Sequence, residues 1–325
     1  MQRLKHPVSI FLGIGISLAS LWFAIRNIKW AETADAIRTL DLTQLAFAMS
    51  FLIVGLFLRG ERWRIIIARS VTKISVYRAT MLGFFFNYVY PARAGDVIKI
   101  VSLQRSSGIS IGWLGVSGIV DRLIDVLVLL FAAVMLMKAL PSLNLGSTFF
   151  FLTSSALVLL VVLGFSPLGE QTLFKIDQWL VHGHRQTRWR ALLKRALDGL
   201  LFYRRGMVHG RRLCNLTGAS VLVALADYGS IFFLLSAFGW QLPYVSPVVI
   251  WVFISAGSAL PSAPAGIGIH QLACVMALKI YGISASNAFA FSVILQTGSF
   301  VAILLALLSV YGYSFNRNNI LHNIS

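Results

Sequence analysis

The stretch ATMLGFFFNYVYPARAGDVIKIVSL, residues 79–103, contains two apolar runs separated by a polar break. The first run ends at Phe86 and the second begins at Val97. Each run is too short to cross a hydrocarbon core of about 30 Å, which needs about 20 helical residues. The break contains Pro91 and Gly95, which free backbone groups and let the chain turn. The stretch therefore predicts a re-entrant hairpin rather than a crossing helix.

A second stretch, residues 247–282, repeats this pattern in the other half of the chain. Its first apolar run ends at Leu260 and its second begins at Gln271. The turn between the runs contains Pro261, Pro264, Gly266 and Gly268. Short segments interrupted by glycine and proline in both halves of a chain are typical of inverted-repeat transporters. The pattern therefore favours an inverted repeat.

The rest of the chain indicates an all-α polytopic membrane protein. Of its 325 residues, 58% are hydrophobic and 12% are charged, about half the charged share of an ordinary soluble domain. Long apolar runs predict six crossing helices, at about 7–25, 41–58, 113–137, 147–165, 213–238 and 287–312. The alternative to six crossing helices plus two hairpins is eight full spans.

Most of the net charge of +17 falls in two stretches, residues 59–78 and 166–212. Basic segments beside membrane helices stay on the cytoplasmic side, which places both chain termini in the cytoplasm. Apolar residues recur among the cations of both stretches, so we predict interfacial helices within one integral membrane domain, residues 1–325. Because the charge lies between spans, the basic composition does not indicate nucleic-acid binding.

The first candidate binding cluster lies on the broken hairpin and consists of Asn87, Arg93, Asp96 and Lys99. The planar guanidinium of Arg93 suits a phosphate or a carboxylate. A structural ion pair between Arg93 and Asp96 is the alternative. Ionisable groups inside a membrane protein are costly and usually serve a function.

The second cluster, Asp121, Arg122 and Asp125, lies at the start of a predicted span. The two carboxylates share one helix face, and Arg122 reaches Asp125 at a spacing of three residues. One arginine leaves a surplus negative charge, which Arg93 or Lys99 would neutralise and so tie the hairpin to this helix. An ion pair that only fixes the helix is an equal alternative.

Three further polar residues are candidates for binding a substrate. His270 and Gln271 follow the second turn, where His270 is either a ligand-binding or proton-accepting group or a satisfied structural histidine. Asp227 lies in the middle of an otherwise apolar helix, where a lone carboxylate must pair or take up a proton.

The sequence contains no P-loop, no metal-ligand spacing and no nucleophile elbow, so no cofactor, metal ion or catalytic residue is predicted. Its two cysteines, Cys214 and Cys274, are too few for a disulfide framework. We therefore lean against an enzyme, although the sequence does not decide this.

Four motifs occur in an order that resembles the lysylphosphatidylglycerol synthase transmembrane region family, also called flippase-like proteins. They are Arg59-Gly-Glu-Arg62-Trp63, Asn87-x3-Pro91-Ala-Arg93-Ala-Gly95-Asp96, Asp121-Arg122-x2-Asp125 and Pro261-x2-Pro264-x-Gly266-x-Gly268. The resemblance to the family covers nearly the whole chain. The resemblance departs at Ala265 and Gln271, where the family usually has glycine and glutamate.

The resemblance implies a bacterial or archaeal protein of the cytoplasmic (inner) membrane. The best-known members fuse this region to a soluble aminoacyltransferase domain, and their membrane part moves the charged lipid between leaflets. This chain resembles the membrane part alone, so we do not expect it to synthesise aminoacylated lipid.

We expect translocation of a lipid or lipid-linked substrate, with membrane lipids that carry an anionic headgroup or a phosphate as partners. The absence of an ATP motif indicates downhill movement or use of an ion gradient. The alternative is an accessory or catalytic protein of lipid, hopanoid or glycan-lipid biosynthesis. A homo-oligomer or a partner synthase is also possible.

Overall fold

The computed structural model describes residues 5–26, 28–90, 94–139, 210–258 and 263–322. Every regular element in these ranges is helical. In chain order the helices are α1 (Lys5–Ile25), α2 (Trp30–Arg38), α3 (Leu42–Ile67), α4 (Lys73–Val89), α5 (Ala94–Ser107), α6 (Ile111–Ala139), α7 (Gly210–Ala237), α8 (Ser246–Gly257), α9 (Ile269–Lys279) and α10 (Ala285–His322). A short 3₁₀ turn, Pro264–Gly266, lies between α8 and α9.

Within these described ranges, three helices are long and apolar enough to cross a membrane, and they lie at Leu42–Ile67, Arg211–Ala237 and Ala285–Gly312. Shorter apolar helices accompany them at Gly15–Ile25 and Ser246–Gly257. The prediction of an all-α polytopic membrane protein is therefore confirmed. The predicted span 147–165 and most of the basic stretch 166–212 lie outside the described residues.

Helix α3 corrects the predicted boundary between the second span and the first basic stretch. Asp41 caps its start by accepting hydrogen bonds from the backbone N–H groups of Thr43 and Gln44, at 2.8 and 3.2 Å. The helix does not end at residue 58 but continues to Ile67, so residues 59–67 are not part of a separate surface helix. The sequence favoured an earlier end because arginines are costly within a span unless they are paired.

A helix also occupies residues 30–38, between the first two predicted spans. Thr33 on this helix donates a hydrogen bond to the backbone carbonyl of Ser286, at 3.2 Å. Ser284 donates another to Glu32, at 2.6 Å. These contacts attach α2 to the start of α10.

Helices α4 and α5 form the first hairpin, and their closest approach depends on glycine. A Cβ atom added to Gly95 would overlap the carbonyl oxygen of Gly83 and come within 2.7 Å of the backbone nitrogen of Asn87. Glycine has no Cβ and permits such an approach. The two helices therefore run antiparallel in direct backbone contact.

Helices α8 and α9 form the second hairpin, which packs through Gly257 against Ile269. The backbone N–H of Ala263 in its turn donates a hydrogen bond to Ser17 of α1, at 2.7 Å. The 3₁₀ turn also contacts α4, the first helix of the first hairpin. The tip of one hairpin therefore lies against the other.

The order of helix, hairpin and helix recurs, first as α3, α4–α5 and α6, and then as α7, α8–α9 and α10. The two leading helices pack antiparallel along their length. The backbone N–H of Asp41 at the start of α3 donates to the carbonyl of Ala237 at the end of α7, at 2.9 Å. Further along the two helices, Arg59 meets Asp227. Opposed leading helices are what an inverted repeat requires.

Candidate functional site

A buried arginine is the centre of the charged site. Arg62 on α3 donates from Nε to Asp121 Oδ1 at 2.9 Å and from Nη2 to Asp125 Oδ1 at 2.6 Å. Its side chain is only 2% exposed. One guanidinium thus spans the two carboxylates of α6, which lie one helical turn apart and share a face.

Lys99 on α5 approaches the same carboxylate from the hairpin side. Its Nζ lies 3.3 Å from Asp121 Oδ2 and 3.9 Å from the centroid of the Trp63 ring. The indole of Trp63 is held in turn by a hydrogen bond from Nε1 to Ser117 Oγ, at 3.1 Å. Lys99 therefore forms both an ion pair and a cation–π contact. The predicted tie between the first hairpin and α6 is present.

Arg122 makes a second tie between α6 and the hairpin. Its Nη2 lies 2.7 and 2.8 Å from the two oxygens of Asp96, and its Nη1 lies 3.6 Å from Asp125 Oδ2. Asn87 at the end of α4 donates to the same Asp96, at 3.2 Å. Both helices of the hairpin thus contribute polar groups to the site.

We call these six ionised residues the ionic network, and they are Arg62, Asp96, Lys99, Asp121, Arg122 and Asp125. Three are cations and three are carboxylates, so the network has no net charge. Mutual pairing offsets much of the desolvation cost of burying them.

The network has a buried floor and an open rim. The floor consists of Arg62, Lys99 and Asp121, whose side chains are 2, 13 and 12% exposed. The rim consists of Asp96, Arg122 and Asp125, with side chains 38, 43 and 39% exposed. A polar group that approaches the site would meet the rim, with its single arginine between two carboxylates.

Asp227, whose partner the sequence did not identify, pairs with Arg59. One terminal nitrogen of Arg59 on α3 lies 2.8 and 2.6 Å from the two carboxylate oxygens of Asp227 on α7. This pair links the two leading helices rather than joining the ionic network. It sits beside Gly55, where an added Cβ would lie 3.4 Å from the Cβ of Ala226.

Gln271 and Gln296 hold the second turn together. Gln271 accepts from the backbone N–H of Gly268 at 2.7 Å and donates to Gln296 Oε1 at 2.6 Å. Gln296 on α10 then donates to the carbonyl of Ala265, at 2.8 Å. Ala265 has a positive φ of 57°, in the left-handed region that favours glycine. In this structure the polar groups of Gln271 are used to fix the turn.

His270 lies apart from the ionic network in the contacts that the structure records. Its Nε2 is 3.9 Å from Sγ of Cys274, one turn further along α9. Among the described residues, no group of three metal-ligating side chains is placed to hold a metal ion.

The structure brings six of the predicted binding residues into one site, namely Asn87, Asp96, Lys99, Asp121, Arg122 and Asp125. It places Asp227, His270 and Gln271 in other contacts. Arg93, Pro91 and Pro261 lie outside the described residues. Their roles stay predictions.

Sequence reasoning missed Arg62 as a member of the site. Arg62 follows Arg59 by three residues, so both point to one side of a helix. Counting charges gave a further signal, because the carboxylates on α6 need more than one partner. Both arginines belong to the motif Arg59-Gly-Glu-Arg62-Trp63, which is one of the four that carry the family resemblance.

Comparison with known proteins supports the resemblance seen in the motifs. A family model described as Lysylphosphatidylglycerol synthase TM region matches residues 10–306. That range includes both hairpins and every residue of the ionic network. No curated protein matches the chain.

Proposed function

Because the chain belongs to the lysylphosphatidylglycerol synthase TM region family, we propose that it moves a lipid or lipid-linked molecule between the two leaflets of the membrane. The chain is a multi-pass membrane protein, and the family relates it to lipid biosynthesis and flippase-like proteins. The cytoplasmic (inner) membrane as its location also belongs to the proposal.

The open rim of the ionic network is the observation that carries this proposal. Charged groups at membrane depth are costly, and they commonly mark the path of a polar substrate. Arg122 holds Asp96 through one terminal nitrogen and reaches Asp125 only at 3.6 Å. Its guanidinium can exchange a carboxylate for the phosphate of a lipid headgroup, since both ligands suit the same planar donor.

The buried floor of the ionic network confines this exchange of partners to the rim. Arg62 and Lys99 remain paired with Asp121 while Arg122 changes partner. A carboxylate released at the rim is partly exposed to water, so its separation from Arg122 costs far less than it would in the floor. The headgroup therefore has a polar surface to contact during its passage.

The hairpins supply the path for the headgroup, while the lipid tail stays in the bilayer. Irregular backbone at membrane depth is tolerated where protein or a water-filled cavity satisfies its polar groups. The turn Pro264–Gly266 of the second hairpin lies against α4 of the first, so the two hairpins border a shared region. Movement of one hairpin relative to the other would open that region toward each leaflet in turn.

The alternative function in biosynthesis would need a histidine and a carboxylate in one site. In the described part of the chain, the recorded side-chain neighbour of His270 is Cys274. No contact among the residues that the structure describes favours this alternative, and it becomes the conclusion only if transport fails.

The proposal is tested by reconstituting the protein in vesicles that contain fluorescent lipids in the inner leaflet. An anionic phospholipid, a zwitterionic phospholipid and a polyprenyl phosphate would be compared, and the appearance of each at the outer surface would be measured. We expect faster movement of at least one anionic lipid than in protein-free vesicles. Well-folded protein that moves none of them would overturn the proposal.

A further inference from the structure

A groove of about 740 Å³ runs along the face of the first hairpin that is bordered by α10. Its wall contains apolar side chains from both hairpin helices, including Leu82, Phe86 and Val101. Near the tip, Val97 and Tyr90 also line the groove and are 62 and 50% exposed. Such apolar exposure on a membrane protein suits a hydrocarbon chain.

The other end of the groove is cationic. Arg78 in the second turn of α4 and Arg105 in the last turn of α5 both line it. The hairpin helices are antiparallel, so these two arginines lie at the same end, away from the tip. Three serines also line the groove, namely Ser75, Ser102 and Ser106. Among the described residues that line it, none carries a carboxylate.

Tyr311 on α10 closes the cationic end. The guanidinium carbon of Arg78 lies 4.4 Å from the centroid of the Tyr311 ring. This cation–π contact holds the guanidinium of Arg78 at the cationic end of the groove.

The length of the groove matches one leaflet. Tyr90 follows Arg78 by twelve positions, which corresponds to about 18 Å of helix. Half of a hydrocarbon core of about 30 Å is roughly 15 Å, the depth that an acyl chain occupies in one leaflet. A lipid with its phosphate at the arginines would therefore have its chain end near the hairpin tip.

We propose that this groove is a binding site for an anionic phospholipid, with the phosphate between Arg78 and Arg105 and one acyl chain along Leu82, Phe86 and Val101. Arg78 belongs to the basic stretch 59–78 that is predicted to face the cytoplasm, and Arg105 lies at the same end of the hairpin. The lipid therefore comes from the cytoplasmic leaflet, which carries the anionic lipids in many membranes. The site is distinct from the ionic network, and it holds whether or not the protein moves lipids.

Native mass spectrometry of the detergent-purified full chain tests this site by counting bound lipid. Phosphatidylglycerol and phosphatidylcholine with identical chains would be titrated onto wild type and Arg78→Gln/Arg105→Gln. We expect roughly thirtyfold weaker phosphatidylglycerol binding in the variant, about a factor of five for each cation, and little change for phosphatidylcholine. The matched control is Arg38→Gln/Lys279→Gln, which removes the same charge from exposed residues outside the groove.

A third variant, Val101→Trp, places a large side chain in the apolar part of the groove. It should therefore weaken binding of both lipids. Equal phosphatidylglycerol binding by Arg78→Gln/Arg105→Gln and by Arg38→Gln/Lys279→Gln would overturn the proposal. It would mean that the anionic lipid is attracted only by the net positive charge of the protein. If the glutamine variant fails to fold, Val101→Trp decides, because undiminished binding of both lipids would also overturn the proposal. A circular-dichroism melt establishes folding for each variant.

Discussion

Arg62 on α3 and Asp121 on α6 form a hydrogen-bonded ion pair at 2.9 Å, although 58 residues separate them along the chain. Arg62 is 2% exposed, and its second carboxylate partner is Asp125. The pair connects a helix of the first basic stretch with the helix that carries the acidic motif. It also provides the floor on which the more exposed rim is arranged.

Replacing Arg62 with methionine should strongly destabilise the protein. The change leaves Asp121 and Asp125 without their shared partner, and breaking a buried pair in this way costs about 3–5 kcal/mol. Arg64→Met is the matched control, because Arg64 pairs with Glu61 at a partly exposed position where the loss should stay below about 1 kcal/mol. Unfolding of both variants in detergent would be followed by circular dichroism. Equal losses would contradict the assigned role of Arg62.

The pair of Arg59 and Asp227 should show strong coupling between α3 and α7. Either Arg59→Met or Asp227→Leu alone leaves one charge unpaired and should cost about 2–3 kcal/mol, less than for a fully buried pair. The double variant removes both charges and should recover most of that loss. A double-mutant cycle of unfolding free energies measures the coupling. Additive losses would mean that the two residues do not stabilise each other.

The contact between Gly83 and Gly95 should not tolerate a methyl group. A Cβ in Gly95→Ala would overlap the carbonyl oxygen of Gly83, so the hairpin must separate, with a loss of about 1–3 kcal/mol or more. Gly115→Ala in α6 meets no neighbour within 4 Å and should gain up to about 1 kcal/mol from helix propensity. Thermal unfolding compares the two. A neutral Gly95→Ala would refute the close packing of α4 on α5.

The protein should be more stable with glycine in place of Ala265 in the second turn. A residue with a side chain at φ 57° costs about 1–2 kcal/mol, which glycine avoids at the expense of some backbone entropy. We expect Ala265→Gly to raise the melting temperature slightly. Ala277→Gly, at a fully buried helical position in α9, should lower it by the equivalent of about 1 kcal/mol. The turn is assigned wrongly if both variants lose stability equally.

The sequence predicted the membrane class and the positions of both chain breaks, because proline and glycine interrupt long apolar runs in a recognisable way. From a count of charges on α6 it also predicted that Arg93 or Lys99 neutralises the surplus carboxylate, and Lys99 pairs with Asp121. These predictions depend on the local pattern of apolar, proline and glycine residues and on the cost of an unpaired charge. Both can be recognised from the sequence alone.

The continuation of α3 to Ile67 was not predicted from the sequence. Hydropathy falls where Arg59 and Arg62 begin, and an exposed surface helix produces the same fall. Only tertiary contacts distinguish an interfacial arginine from one paired inside the protein, since the partners of Arg62 lie more than 50 residues away. The contact by which Gln271 fixes the second turn was not predicted either, because it depends on a tertiary contact with Gln296 of α10.

Lipid movement by Arg122→Gln, compared with wild type and Arg38→Gln in the same vesicles, tests the translocation proposal most directly. The glutamine keeps hydrogen-bond donors at the rim but loses the charge that would hold a lipid phosphate. Arg38 forms a comparable pair with Asp35, three residues away, at a highly exposed position outside the ionic network. We predict at least about tenfold slower movement for Arg122→Gln and the wild-type rate for Arg38→Gln, with both variants folded. Movement by Arg122→Gln at the wild-type rate would contradict the role of the ionic network in lipid translocation.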